Sequence, residues 1–127
     1  MGLSAEPQGG NSRTFPKTAR VLRNSEFRRI YDTGVRLPGP LFVAFIKPRA
    51  EGECARLGLT VPRAVGGSVD RSRIKRRLRE AFRMRRDRFG AYDIVLNPRK
   101  AVLTAEFAEI ERALERVAAK IQERVKA

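Results

Sequence analysis

The segment spanning residues 70–88 constrains this chain most, because ten of its 19 residues are Lys or Arg and only three are acidic. Its apolar residues Ile74, Leu78, Ala81 and Phe82 recur at helical spacing, which predicts a helix with one buried face. The cations must then share the remaining faces, where their mutual repulsion opposes folding unless a polyanion neutralises it. A cationic face that only aids solubility is a weaker interpretation, since mixed charges would serve solubility equally well.

The net charge of the whole chain points in the same direction. The 127 residues include 28 Lys and Arg against 14 Asp and Glu, a formal charge of +14. Half of this excess lies within 70–88, whereas residues 104–127 carry five charges of each sign. Of the 28 cations 22 are Arg, whose planar guanidinium binds phosphate with two parallel hydrogen bonds. This distribution predicts one localised surface for an anionic polymer.

The partner of this surface is predicted to be RNA, and no DNA partner is expected. A helix that reads a DNA major groove is usually oriented by a neighbouring helix, but residues 92–96, which follow 70–88, have a strand pattern. Three aromatic residues could form a platform on which unpaired RNA bases stack: Phe27, Tyr31 and Phe45. The other interpretation of these three rings is that they belong to the hydrophobic core.

Two scarce residue types narrow the possible chemistry. The chain has no His, which excludes a His general base, a catalytic triad and a His metal site. Its single Cys, Cys54, allows no disulfide within the chain and no cysteine cluster for zinc. This usage favours a reducing cytoplasm, where we expect the protein. No apolar run approaches the roughly 18 residues of a membrane span, so no membrane partner is expected.

The pattern of residues along the chain predicts one domain with mixed secondary structure. Residues 1–15 are polar and lack periodicity, which predicts a flexible N-terminal segment before a single RNA-binding domain over 16–127. Helices are predicted over 24–34, over 70–88 and from Thr104 onward, and strands over 41–46, 56–61 and 92–96. The first two strands read as an antiparallel hairpin. The order α-β-β-α-β-α is typical of an α+β two-layer sandwich.

The same patterns predict which side chains share a face. In the first helix Phe27, Ile30 and Tyr31 lie on one side, and in the first strand Phe45 alternates with the residues that precede and follow it. One face of that strand must point away from the main core, and Phe45 is then the candidate for an open, functional sheet face. In the last helix a buried stripe is predicted from Phe107, Ile110, Leu114, Val117, Ile121 and Val125.

Residues 71–80 read Arg-Ser-Arg-Ile-Lys-Arg-Arg-Leu-Arg-Glu, which resembles the signature Arg-Asn-Arg-Ile-Lys-Arg-x-x-Arg-Glu of the bacterial ribonuclease P protein subunit. The resemblance extends in the family's order over residues 17–122. Residues 25–34 are similar to the family's first helix, residues 56–61 to its second strand and residues 93–96 to its third. Gly66 and Val69 lead into the signature as the family's loop does. Ser72 departs from it, replacing an amide with a shorter hydroxyl.

The resemblance implies a function that composition could not supply. Proteins of this family bind a large catalytic RNA, and together they remove the 5′ leader from precursor transfer RNA. The chemistry is implied to belong to the RNA and its Mg²⁺ ions, so the protein itself is expected to hold no cofactor, no metal and no catalytic residue. The implied fold contains a left-handed βαβ crossover, as in a domain of a small-subunit ribosomal protein, against the usual right-handed rule.

The resemblance also implies two sets of site residues. The set that matches the RNA-binding signature, and is expected to contact ribonuclease P RNA, is Arg71, Ser72, Arg73, Lys75, Arg76 and Arg79. The set that matches the family's cleft for the leader of precursor transfer RNA is Phe27, Tyr31, Phe45, Arg56, Thr60 and Arg63. Two other functions compete with this one: a general or ribosomal RNA-binding protein with no role in processing, and a nuclease that cleaves RNA by itself.

Overall fold

The computed structural model describes residues 24–126, and the predicted flexible segment over 1–15 lies outside the described residues. Three short 3-10 turns, Arg63–Val65, Arg86–Phe89 and Lys100–Leu103, connect the helices and strands. In chain order those helices and strands are α1 (Asn24–Thr33), β1 (Val35–Leu37), β2 (Phe42–Pro48), β3 (Arg56–Leu59), α2 (Ser68–Arg83), β4 (Tyr92–Pro98) and α3 (Phe107–Lys126).

The four strands form one mixed sheet in the order β1-β2-β4-β3. β2 pairs antiparallel with both β1 and β4, and β3 pairs parallel with β4. The predicted hairpin between the first two long strands is therefore wrong, because β4 lies between them. The physical reason is burial: Ile94, Val95 and Leu96 are all fully buried, so β4 is apolar on both faces and takes a central position in the sheet.

The boundaries of two predicted helices also differ from the structure. α2 ends at Arg83 rather than residue 88, because the chain turns at Arg85 (φ −135°) and brings Phe89 inward. The ring of Phe89 is fully buried, with its centroid 4.8 Å from that of Phe82. α3 begins at Phe107 rather than near Thr104, because a 3-10 turn that buries Val102 precedes it. The short strand β1 was not predicted, since three residues carry too little periodicity.

The main core lies between one face of the sheet and the helices α2 and α3. The predicted apolar face of α2 is confirmed, because all four of its residues are buried. In α3 four of the six predicted positions are buried and Phe107 is half-buried, but Val125 is 69% exposed, so that prediction is wrong. Val125 lies in the last turn of the helix, beyond the final core residue of α3, Ile121.

The opposite face of the sheet carries α1. Ile30 packs against Val95 there, and both are buried. The sheet with α2 and α3 forms the expected two layers, and α1 covers part of the other side. α2 joins the adjacent parallel strands β3 and β4, which is the βαβ connection implied by the resemblance; its left-handed sense stays a prediction. Within residues 24–126 no helix is long and apolar enough to cross a membrane.

Gly34 ends α1 at a point where the backbone is too crowded for a side chain. Its N–H donates to the carbonyl oxygen of Ile30 at 2.8 Å. A Cβ at Gly34 would lie 2.5 Å from that same oxygen and 2.8 Å from the carbonyl oxygen of Ile46. Because both are backbone atoms, neither can rotate away. Glycine is therefore what allows β1 to start directly after α1 and pair with β2.

Gly34→Ala is expected to lower the free energy of unfolding by about 1–3 kcal/mol, because helix and strand must separate to admit the methyl group. Urea denaturation monitored by circular dichroism measures the change. Gly67→Ala is the matched control, since nothing lies within 4 Å of its Cβ position and its φ is −70°. Equal stability of the two variants would contradict this account of α1.

Candidate RNA-binding surfaces

Three aromatic rings meet where α1 crosses the sheet, and we call Phe27, Tyr31 and Phe45 the aromatic cleft. The ring of Tyr31 meets that of Phe45 edge to face, with centroids 4.8 Å apart, and lies 6.5 Å from that of Phe27. Phe45 lies on the face of β2 opposite to the main core, as predicted. All three side chains are half-buried. They pack on Ile30 and Val95 and still present part of their surface to solvent.

The hydroxyl group of Tyr31 links α1 to β4 and to the residue that follows β3. It lies 2.8 Å from Thr60 Oγ1 and 2.8 Å from Asn97 Oδ1. A phenol has one proton and an amide oxygen only accepts, so Tyr31 donates to Asn97 and accepts from Thr60. Thr60 was among the predicted site residues, whereas Asn97 was missed. The position of Asn97 on β4, two residues after Val95, is the signal that places Asn97 on this face.

Arg56 lies on the same face but is held by carboxylates. Its Nε and Nη2 donate to the two oxygens of Asp93 at 2.8 and 2.9 Å, and its Nη1 donates to Glu26 Oε2 at 2.9 Å. The hydrogen bonds to Asp93, opposed by burial and reinforced by Glu26, raise the pKa of Arg56 above its usual range. Arg63, the last predicted member of this set, is exposed in the 3-10 turn that follows β3.

The signature helix α2 presents a second surface. With its apolar face buried against the sheet, Arg73 and Arg76 are exposed and Lys75 and Arg79 are half-buried. Across residues 24–126, Arg73, Lys75 and Arg76 make no hydrogen bond or ion pair. Their charges are available to a ligand. Ser72 is exposed beside them in the second turn of the helix.

At least six of the ten cations in 70–88 are instead engaged by the protein itself. Arg71 donates to the carbonyl oxygen of Gly66 at 3.1 Å, at the start of the helix. Beyond α2, Arg85 binds Glu111 at 2.7 Å and Glu115 at 3.1 Å, both on α3. Part of the repulsion expected from the sequence is therefore relieved within the fold, by the carboxylates that pair with three of these cations. The remaining three contacts pair Arg83 with Glu80, Arg86 with the carbonyl oxygen of Ala55, and Arg88 with Glu115.

Arg77, the sixth of these cations, has a structural role, although it lies within the signature. Its guanidinium donates to the carbonyl oxygens of Val102 at 2.6 Å, Leu103 at 3.1 Å and Ala105 at 2.7 Å. These three carbonyls belong to the segment that leads into α3. Arg77 therefore joins α2 to the start of α3.

Arg77→Met is expected to lower the free energy of unfolding by about 1–3 kcal/mol, since the guanidinium donors are lost while the alkyl stem is kept. Thermal denaturation measures the loss. Arg73→Met removes the same charge from an exposed position and should change the stability by less than about 0.5 kcal/mol. If Arg77→Met were as stable as the parent protein, the three carbonyl contacts would not contribute to the stability of the fold.

The two surfaces face away from each other. α2 packs on the sheet face that includes Leu57, Ile94 and Leu96, whereas the aromatic cleft lies on the face that includes Val95. Neighbouring residues of a strand point to opposite faces, so β4 separates the two. The predicted site residues therefore divide into a cationic surface on one side of the sheet and an aromatic cleft on the other.

The comparisons with known proteins agree on one family. The family model described as Ribonuclease P matches residues 15–122. The ribonuclease P protein component of Desulfosudis oleivorans is 39% identical over 102 residues, covering 80% of this chain and 84% of that protein. Its counterpart in Staphylococcus epidermidis is 34% identical over 101 residues, covering 80% and 88%.

Solved structures agree with the sequence relatives. The RNase P protein of Staphylococcus aureus superposes with a TM-score of 0.70 at 31% identity, covering 82% of this chain and 94% of that one. The RNase P protein of Thermotoga maritima gives a TM-score of 0.70 at 28% identity, covering 80% and 96%. The matches extend over the cationic helix and the aromatic cleft alike. The chain belongs to the bacterial ribonuclease P protein family.

Proposed function

We propose that this member of the family binds ribonuclease P RNA through α2 and the 5′ leader of precursor transfer RNA through the aromatic cleft. The observation that carries the proposal is the separation of two chemically different surfaces by the sheet. On one side are the unpaired cations Arg73, Lys75 and Arg76. On the other side are three partly exposed rings. Such an arrangement allows one protein to contact two RNA molecules at once.

The cationic surface suits the phosphates of a folded RNA. Its members lie within two turns of one helix, and α2 is fixed by its own buried face, so the charges are held at defined spacings. Arg73 and Arg76 can each bind a phosphate through two donors, and Lys75 adds a point charge between them. Ser72 can donate one further hydrogen bond. Arg71 and Arg79 flank this group and complete the predicted set.

The aromatic cleft suits a single strand. A leader has unpaired bases whose faces can stack on aromatic rings, whereas the bases of a folded catalytic RNA are mostly paired. Phe27, Tyr31 and Phe45 offer those rings, and the Thr60 hydroxyl group at the edge of the cleft offers a polar contact. Arg63, exposed just beyond β3, supplies a cation for the leader backbone.

We assign the hydrolysis itself to the RNA and to Mg²⁺ bound by that RNA, with this chain as an accessory subunit of the holoenzyme. Hydrolysis with two metal ions needs carboxylates that converge on ions about 4 Å apart. Among the described residues, no group of three or more carboxylate or thiol side chains comes together in this way. The Glu80 carboxylate in the signature is paired with Arg83, so its role here is to orient an arginine.

The affinity of the protein for ribonuclease P RNA is expected to fall steeply as salt rises, because each phosphate contact releases counterions. Each contact contributes a slope of about −0.7 to −0.9 to the dependence of log affinity on log salt. Arg73→Ala should reduce the magnitude of the slope by roughly one unit. Fluorescence anisotropy with labelled RNA at several salt concentrations measures this.

The matched control for this measurement is Arg112→Ala. Arg112 is exposed on α3 and has no ion pair within residues 24–126, so its loss changes the net charge equally on a different surface. The slope should stay within about 0.3 of the parent value. An equal reduction by both variants would mean that the net charge of the protein, rather than α2, determines binding.

A further inference from the structure

An ion cluster at one end of the aromatic cleft joins three elements of the fold. Arg56 on β3 forms a two-pronged pair with Asp93, its direct neighbour on β4, and extends its remaining terminal nitrogen to Glu26 on α1. Asp93 is the one polar or charged residue among those described that is buried, at 7% exposure. Arg49 approaches the same carboxylate, with its Nε 3.5 Å from Asp93 Oδ1, and binds Glu53 at 2.8 Å.

The hydrogen bonds that Arg56 already makes do not favour a contact with an RNA phosphate. The cluster contains two arginines and three carboxylates, and Arg29 and Lys47 line the same pocket. The nitrogens Nε, Nη1 and Nη2 of Arg56 each already contact a carboxylate oxygen. A phosphate of the leader would have to compete with Asp93 and Glu26 for the same guanidinium. A direct contact between Arg56 and the leader is therefore unfavourable.

The position of the cluster indicates a different role. α1 has ten residues, which is too short to be stable without docking on the sheet. Its later turns are held by the burial of Ile30 and by the hydrogen bonds of Tyr31 to Thr60, directly after β3, and to Asn97 on β4. Its first turn contains Glu26, which Arg56 binds. Phe27 is the next residue, so the link from Arg56 to Glu26 fixes the turn that carries one wall of the cleft.

We propose that Arg56 is a positioning residue for leader binding: anchored by Asp93, it holds Glu26 and thereby sets the distance of Phe27 from the other two rings. This inference rests on the proposed function of the aromatic cleft and revises the assignment of Arg56 from leader contact to support of α1. Asp93 and Glu26 thereby join the set of residues on which leader recognition depends, although neither touches the leader.

The variant Glu26→Gln distinguishes a direct leader contact of Arg56 from a positioning role, because the two roles predict opposite changes in the affinity for precursor transfer RNA. If Arg56 bound the leader directly, removing the competing charge of Glu26 would free the guanidinium and strengthen precursor binding. If Arg56 positions α1, the same change weakens precursor binding. The measurement is the ratio of the affinities of the reconstituted holoenzyme for precursor and for mature transfer RNA. We expect the ratio to fall about fivefold, the size expected for a partly exposed ion pair.

Two further variants complete the experiment. Arg56→Lys keeps the positive charge but loses the two-pronged geometry, and it should lower the ratio as Glu26→Gln does. Glu53→Gln removes a negative charge from the outer edge of the same cluster without touching α1, and it should leave the ratio unchanged or raise it slightly. Thermal melting of Glu26→Gln should keep a single cooperative transition, and its affinity for ribonuclease P RNA should stay at the parent value, which shows that the domain is folded.

The outcomes distinguish this inference from the proposed function. An unchanged or increased ratio for Glu26→Gln overturns the positioning role, provided that Tyr31→Ala lowers the ratio in the same assay. A ratio unaffected by Tyr31→Ala overturns the proposed function of the cleft itself. If Glu26→Gln weakens binding of precursor and mature transfer RNA equally, the cluster supports the fold and not the cleft, and the inference is wrong.

Discussion

Replacing Arg73 and Arg76 together by Ala is expected to lower the affinity for ribonuclease P RNA by at least about a hundredfold. Each side chain can make a charge-assisted bond to phosphate worth about 1.5 kcal/mol or more, so the pair contributes about 3 kcal/mol. Neither residue has a partner within the described part of the chain, so the fold loses no contact. Anisotropy with labelled RNA measures the affinity, and circular dichroism confirms the fold.

The control for this double variant is Arg112→Ala combined with Arg116→Ala. Both residues are exposed on α3, so the net charge falls by the same two units while α2 is untouched. We expect less than a fivefold loss of affinity from the general charge effect alone. A loss from the α3 pair that equals the loss from the α2 pair would show that α2 is not the RNA-binding surface.

Tyr31→Ala is expected to weaken holoenzyme binding to a leader-bearing precursor by about tenfold, since stacking of one base on an aromatic ring is worth about 1–3 kcal/mol. Binding of mature transfer RNA should hardly change, because no leader base is present to stack. Assembly with ribonuclease P RNA should also be unchanged, since the cleft lies on the other side of the sheet. Equilibrium binding to the two transfer RNA forms gives the comparison.

Tyr31→Phe distinguishes stacking from anchoring. It keeps the ring but removes the hydroxyl group that donates to Asn97 and accepts from Thr60. If stacking dominates, this variant retains most of the precursor affinity that Tyr31→Ala loses. Thermal melting identifies any loss of fold. A folded Tyr31→Ala protein that lost affinity for precursor and mature forms equally would show that the cleft does not bind the leader.

Local periodicity was sufficient to predict on which face some of the candidate site residues lie. Alternation along β2 placed Phe45 on the face away from the main core. The helical spacing of the apolar residues in α2 gave the buried face of that helix. These properties depend only on neighbouring residues and on the repeat of a helix or strand.

Properties that depend on distant parts of the chain could not be predicted in this way. The pairing of β3 with β4 was mistaken for a hairpin, because the central position of β4 follows from burial on both faces in the folded sheet. The sequence also could not show which cations in 70–88 are available to a ligand and which are engaged by the protein itself. Arg85 is paired with carboxylates 26 and 30 residues away, and Arg77 donates hydrogen bonds to carbonyl groups 25 to 28 residues away.

The same limitation applies to Arg56. The resemblance to the family placed it among the residues of the leader cleft. The carboxylates that engage it come from α1 and β4, 30 and 37 residues away in the sequence. The sequence alone therefore could not identify the partners of Arg56.

Reconstitution of cleavage tests the central claim most directly. The full-length protein is incubated with precursor transfer RNA and Mg²⁺, with and without ribonuclease P RNA, and release of the 5′ leader is followed by gel electrophoresis. We predict no cleavage by the protein alone and cleavage when both are present. At a limiting concentration of protein, the Arg73→Ala, Arg76→Ala variant should no longer increase cleavage by ribonuclease P RNA. Leader release by the protein alone, or a holoenzyme indifferent to this double variant, would contradict the account.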